Sequence, residues 1–246
     1  MSTSSLFVGD PHGDLDFIEH AAGLAAEHDA EMIVVGDWGF LWPSSNQLNA
    51  LSIALTRAGE KFAKPPVTMR FIDGNHDWHP ELRRLTFEAI FRSDGGYGFE
   101  VAPNVRYQPR GSVYEDADGT RFLFCGGAPS IDRSLRTPGR SWWPEEVISE
   151  TEYRRSLSAE GPIHVLVTHD APDYPPGFMP KGDPDFRERS CRSMEMVRGL
   201  IDHHQPELHV HGHWHTRATT RRGNTRIECL NCNYARFPDS VMLWSR

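Results

Sequence analysis

The 246-residue sequence predicts an α/β fold of two mixed β-sheets with helices outside them. Short apolar runs alternate with longer amphipathic runs through the first third of the chain, which is the pattern of βαβ units with parallel strands. Further strand-like runs follow in the second half. The composition, 38% hydrophobic and 24% charged, is that of a folded globular chain. Internal repeats and interdomain linkers are not evident, so one domain over residues 1–246 is expected.

In order, residues 6–8 read as a strand, 15–27 as a helix and 32–35 as a second strand. A helix over about 47–61, a strand over 67–72 and a helix over about 81–91 continue the pattern. Later strands fall near 121–125, 163–168, 207–210, 226–230 and 241–244. The first three strands each end on polar residues: Gly9-Asp10, Gly36-Asp37 and Gly74-Asn75. Open α/β sheets bind ligands beyond the carboxyl ends of their strands, so this repetition marks a site. Two long loops also stand out. Residues 129–144 carry Asp132, Arg133, Arg136, Arg140, Trp142 and Trp143, and residues 171–184 are rich in proline and glycine.

The net charge of −8 argues against an extended nucleic-acid face and leaves a small phosphoester substrate, nucleotides included, as the expected partner. Only Lys61, Lys64 and Lys181 are lysines among 26 basic residues; arginine suits bidentate contact with phosphate, although a GC-rich genome explains the bias more simply. Cys125, Cys191, Cys229 and Cys232 are too few and scattered for a secreted disulfide framework, and the C-x-x-C pair at 229–232 reads as structural. With no long apolar run and no leader pattern before Gly9, a cytoplasmic location away from the membrane is expected.

Asp10-Pro11-His12 places a carboxylate and an imidazole two residues apart at a strand end, a donor pair suited to manganese, iron or zinc. Asp37 follows Gly36, and its two oxygens allow it to bridge; alone it could equally be a turn or cap residue. In Gly74-Asn75-His76-Asp77, Asn75 can offer an amide oxygen to a metal while His76 points elsewhere. His169 follows an apolar strand, and Gly212-His213-Trp214-His215 presents two imidazoles from a tight loop. His209 and His211 precede that glycine and read as strand residues, and His164, His203 and His204 as surface or strand-edge residues.

Taken in order, Asp10-x-His12, Gly36-Asp37, Gly74-Asn75-His76-Asp77, His169 and Gly212-His213-x-His215 resemble the calcineurin-like metallophosphoesterase superfamily over residues 9–215. The resemblance implies a double β-sheet sandwich flanked by helices and a hydrolase of phosphoric esters. It also implies two divalent ions, manganese ahead of iron or zinc, that polarise the phosphoryl group and activate a shared water. One would be held by Asp10, His12, Asp37 and His215, the other by Asp37, Asn75, His169 and His213, with Asp37 as bridge. His76 would act on the transition state or leaving oxygen, and Asp77 would orient that loop. Phe40 and Leu41 stand where the protein phosphatase branch has an Asp-Arg pair, so Arg133 and Arg136 become the candidate substrate-binding residues. The segment 126–133, with Trp142-Trp143 and Glu145-Glu146 beyond it, resembles small bacterial and bacteriophage phosphoesterases. Phosphodiester hydrolysis, with cyclic nucleotides as one substrate type, leads over a phosphomonoesterase or protein phosphatase, a DNA nuclease, and a noncatalytic metal-bound binding module.

Overall fold

The computed structural model describes residues 4–43, 45–91, 98–177 and 184–246, without the side chains of residues 88–91. The first sheet is built from β1 (Ser4–Val8), β2 (Ala30–Val34), β3 (Met69–Phe71), β4 (Phe99–Ala102), β5 (Val105–Tyr107) and β12 (Val241–Ser245), in the order β12-β1-β2-β3-β5-β4. The second contains β6 (Ser112–Glu115), β7 (Arg121–Cys125), β8 (Val165–Thr168), β9 (Leu208–His211), β10 (Ala218–Arg222) and β11 (Thr225–Cys229), in the order β10-β11-β9-β8-β7-β6. Parallel pairs form the middle of each sheet, and antiparallel strands close the edges.

The central strands read as unbroken apolar runs because both of their faces are buried. In β1 and β2, Leu6, Val8, Met32 and Val34 face the core beneath α1 (Leu15–Glu27) and α2 (Gln47–Lys61), while Phe7 and Ile33 turn the other way. In β7 and β8, Phe122, Phe124, Val165 and Val167 join Phe7 and Ile33 in the layer between the sheets. Leu123, Cys125 and Leu166 instead meet Ile148, beside the N-terminus of α4 (Glu150–Leu157), and Val197, Leu200 and Ile201 of α5 (Pro184–His204). This period-2 alternation, repeated in both sheets, sets the four layers of helix, sheet, sheet and helix.

Register places the site. Val8, Val34 and Phe71 lie side by side in parallel pairing, so the residues after them emerge at one edge. Cys125 pairs with Thr168, Val167 with Val210, and His211 with Cys229, which brings the ends of β8 and β9 level in the second sheet. The two edges meet where His169 Nδ1 approaches the main-chain oxygen of Val35 at 2.8 Å and the His213 N–H donates to Asp10 Oδ2 at 2.8 Å.

The expected helices over 15–27 and 47–61 and the strand over 121–125 match α1, α2 and β7. The helix expected over 81–91 starts two residues earlier, as α3 (His79–Phe91), with Pro80 in its first turn where a missing N–H costs nothing. The helix α5 has no counterpart in the sequence reading: its buried face includes Ser190 and Ser193, which blur the apolar period. His203 and His204 end this helix. Within the loop expected over 171–184, residues 178–183 lie outside the described residues. Among the described residues, no helix is long and apolar enough to cross a membrane.

Candidate metal centre

The seven expected ligand residues converge at the shared edge of the two sheets. Asp10 and Asp37 are buried. Asp37 Oδ2 lies 3.4 Å from His12 Nε2, and His215 Nε2 lies 3.3 Å from Asp10 Oδ2. The His12 and His215 rings are 5.1 Å apart, which completes one cluster of Asp10, His12, Asp37 and His215. On the other side, Asp37 Oδ1 lies 3.4 Å from His169 Nε2, which is also 3.2 Å from Asn75 Oδ1. The His213 ring sits 5.1 Å from that of His169. The two oxygens of Asp37 therefore face different groups of donors.

The main chain is bent to make this possible. Among the described residues, eight residues other than glycine have positive φ, and four of them are His12 (48°), Asp37 (46°), His213 (67°) and His215 (44°). Such conformations are costly for L-residues and concentrate at functional sites. Two glycines leave room for the carboxylates. A Cβ on Gly74 would stand 2.2 Å from Asp37 Oδ1, and one on Gly212 would stand 2.0 Å from Asp10 Oδ1.

Hydrogen bonding decides which ring nitrogen is left with a lone pair. His169 Nδ1 gives its proton to the Val35 carbonyl, so Nε2 presents a lone pair toward two other acceptors, Asp37 Oδ1 and Asn75 Oδ1. His12 Nδ1 faces the Asp10 carbonyl at 3.1 Å and Asn233 Oδ1 at 3.2 Å, which likewise turns the Nε2 lone pair toward Asp37. Acceptors do not crowd together unless a cation or proton sits among them. Among the described residues, Asp10 Oδ1 and Asp37 Oδ2 are moreover buried with no hydrogen-bond partner. This donor set of carboxylate, imidazole and amide oxygens fits divalent ions of the Mn, Fe and Zn type.

Electrostatics point the same way. Burial alone would lower the proton affinity of His169, but the Asp37 and Asp10 charges raise its pKa to about 10. His12 and His215 are opposed by burial in the same manner, yet Asp37 raises the first to about 9 and Asp10 raises the second to about 10. At His213 the Asp37 charge is outweighed: burial and the neighbouring His169 keep it well below its ordinary value, so its ring is neutral.

His76 occupies the open side. Its backbone N–H donates to Asp37 Oδ1 at 2.7 Å, and its ring lies 5.4 Å from that of His12. The ring nitrogens, although close to His12 and Asp37, sit 2.7 and 2.8 Å from Arg136 Nη2, a cationic group in the way of a metal. Asp77 does not face the cluster; its carboxylate accepts from the N–H groups of Trp38, Gly39 and Gly74 and ties the loops after β2 and β3 together. Arg136 is brought against His76 and also donates to the Asn75 carbonyl at 3.2 Å. Arg133 is turned to Asp185 at 3.0 Å and lies 4.3 Å above the Trp142 ring. His209 and His211 are buried in β9, with His209 Nε2 2.7 Å from the Thr168 hydroxyl. Sequence reasoning missed Asn233, which buttresses His12 and donates to Asp14 Oδ2, and the exposed Tyr234, stacked 5.9 Å from the His12 ring. Neither residue stands in a recognisable motif.

A fold of two face-to-face sheets with a pair of acidic, histidine-rich clusters at their common edge defines a class of two-metal hydrolases. The sequence pattern of the calcineurin-like phosphoesterase family matches residues 4–217, and the chain belongs to that family. No curated protein matches it. Among solved structures it is similar in fold to GAP50, the anchor in the inner membrane complex of Plasmodium, with a TM-score of 0.50 and 10% identity over 92% of this chain and 71% of that one. A dimetal phosphatase from Danio rerio aligns with a TM-score of 0.47 and 11% identity over 94% of this chain and 88% of that one. Phosphopantetheinyl hydrolase from Mycobacterium tuberculosis aligns with a TM-score of 0.46 and 15% identity over 95% and 91%.

Two predictions follow from this geometry. Protons on His12, His169 and His215 stabilise the metal-free fold fully below the ordinary histidine value near 6.5, and that contribution is lost as pH rises through about 9 to 10. The melting temperature of chelator-treated protein is therefore expected to fall between pH 7 and pH 10, and added Mn²⁺ to restore it. A flat profile without metal would contradict the protonated cluster. Secondly, Asp37→Ala is expected to empty both cation positions and Asp10→Ala mainly one; metal analysis that finds two ions in Asp37→Ala removes the bridge.

Proposed function

We propose that the protein hydrolyses small phosphodiesters, nucleotides among them, at a site holding two divalent cations bridged by Asp37. The observation that carries this reading is the division of the Asp37 carboxylate, with Oδ2 toward His12 and Oδ1 toward His169. When bound, the two cations would supply Lewis acidity toward the phosphoryl oxygens and a lowered pKa for an attacking water. Asp10, His12 and His215 would hold one with Asp37, and Asn75, His169 and His213 the other.

The remaining groups set the substrate side. Burial lowers the proton affinity of His76; Asp37 opposes this and Arg136 reinforces it, which leaves a neutral ring able to donate a hydrogen bond to a developing oxyanion. Arg136 places its guanidinium at the same spot, although its Nε is committed to Asp132 at 2.8 Å. Phe40 is fully buried where the protein phosphatase branch has its Asp-Arg pair, so no phosphate grip comes from that position. One partly neutralised guanidinium suits the single negative charge of a diester better than the double charge of a monoester. Tyr234, 81% exposed beside His12, offers an aromatic face to the second ester substituent.

Turnover of bis(4-nitrophenyl) phosphate and 4-nitrophenyl phosphate with Mn²⁺, and with chelator, tests this. Chelator-sensitive hydrolysis with the larger kcat/KM on the diester is expected. Faster monoester hydrolysis overturns the diester preference, and no metal-dependent turnover on either supports a binding module. His76→Ala is expected to lower kcat by about 10²- to 10⁴-fold with metal content unchanged. Arg136→Ala is expected to lower kcat/KM more than Arg133→Ala; the reverse order would move the substrate to the Trp142 side.

A further inference from the structure

Asn75 is the weakest donor of the cluster, because a neutral amide can rotate by half a turn and present N–H groups in place of its oxygen. Its side chain is buried, so its orientation is set by the groups packed around it. Asn75 Nδ2 donates to Ser130 Oγ at 3.2 Å. Ser130 Oγ in turn donates to Glu146 Oε2 at 2.5 Å, and the Ser130 N–H donates to Glu146 Oε1 at 2.8 Å. Both Ser130 and Glu146 are buried.

This arrangement has a direction. A hydroxyl has one proton, and Ser130 spends it on a carboxylate, so its oxygen is left as an acceptor. The NH₂ end of Asn75 satisfies that acceptor, and Oδ1 is then turned toward His169 Nε2 at 3.2 Å. Glu146 is itself fixed from behind. The Arg189 Nη1 atom lies 3.4 Å from its Oε1, and its carbonyl accepts from the Ala128 N–H at 2.8 Å. The buried Arg110 guanidinium joins Asp73, two residues before Asn75, to the carbonyls of Glu145 and Val147. The segment that carries Glu146 and the strand end that carries Asn75 are thus clamped by one side chain.

We propose that Ser130 and Glu146 are positioning residues that orient the Asn75 amide oxygen toward the cation position it shares with Asp37, His169 and His213. This rests on the two-cation reading above and gives a role to the 126–133 segment and to Glu146, for which the catalytic groups have no use. Ser130→Ala removes the acceptor that selects the amide orientation. Glu146→Gln keeps the shape but offers one acceptor to the two donors of Ser130, so the chain of donors breaks there.

The test is titration of Mn²⁺ alone into metal-free wild type, Ser130→Ala, Glu146→Gln and Ser130→Thr, read by calorimetry and by the electron paramagnetic resonance of the coupled ion pair. Wild type is expected to take up two ions. Ser130→Ala and Glu146→Gln are expected to weaken one of the two by about 10- to 100-fold, with the spectrum shifting toward a single uncoupled ion, while the other position is retained. Ser130→Thr, which keeps the hydroxyl, is expected to restore the pair. Circular dichroism and melting curves identify any variant that fails to fold, and either of the two disruptive variants suffices if the other does. Two ions bound as tightly as in wild type by both, or equal weakening of both positions, overturns the inference alone. Fewer than two ions in wild type overturns the two-cation reading and this inference with it.

Discussion

Asp10 and Asp37 are buried at the ends of adjacent parallel strands, and the groups that approach their oxygens most closely are imidazoles and backbone N–H groups. Two carboxylates in a low-dielectric edge are unfavourable unless positive charge accompanies them. Protons on three histidines supply it in the metal-free chain, and divalent cations held there would supply it in their place. Much else in the structure serves this requirement. The glycines at 74 and 212 let the carboxylates approach the neighbouring loops, and the left-handed turns at His12, Asp37, His213 and His215 aim their side chains inward. A scaffold able to hold four such residues must be rigid around them, and the sheet edges provide that.

The second layer around the cluster is as specific as the donors. Val35 and Asn233 select the ring nitrogens that His169 and His12 leave exposed. The Asp77 carboxylate gathers three backbone N–H groups and so joins the loops that carry Asp37 and Asn75. Arg110, buried in a ring of acceptors, connects Asp73 to the segment near Glu146.

The open face has a narrower chemistry than the metal edge. His76 and Arg136 form one polar wall, with Tyr234 beside it. Arg133, although close in sequence, is drawn away by Asp185 and Trp142. The long loop of residues 129–144 thus divides its work: Ser130 faces inward to Asn75, Arg136 faces the site, and Arg133 faces solvent and α5.

The strand ends, and the blocks that carry the candidate donors, were legible in the sequence alone. Apolar runs buried on both faces and polar residues just beyond them are local features, and the spacing of Asp10, His12, Asp37, Asn75, His169, His213 and His215 marked their blocks in order. The helices α1 and α2 were legible because their apolar period is uninterrupted, whereas the serines on the buried face of α5 hid it. The short edge strands β4 and β10 were not legible, since four or five partly exposed residues carry little period, and the inner strand β5 is only three residues long. Only the tertiary structure decided which oxygen of Asp37 meets which histidine, that Arg136 rather than Arg133 touches His76, and that Ser130 and Glu146 stand behind Asn75. These are contacts between side chains brought together by sheet register and loop packing, at separations along the chain that no local pattern encodes.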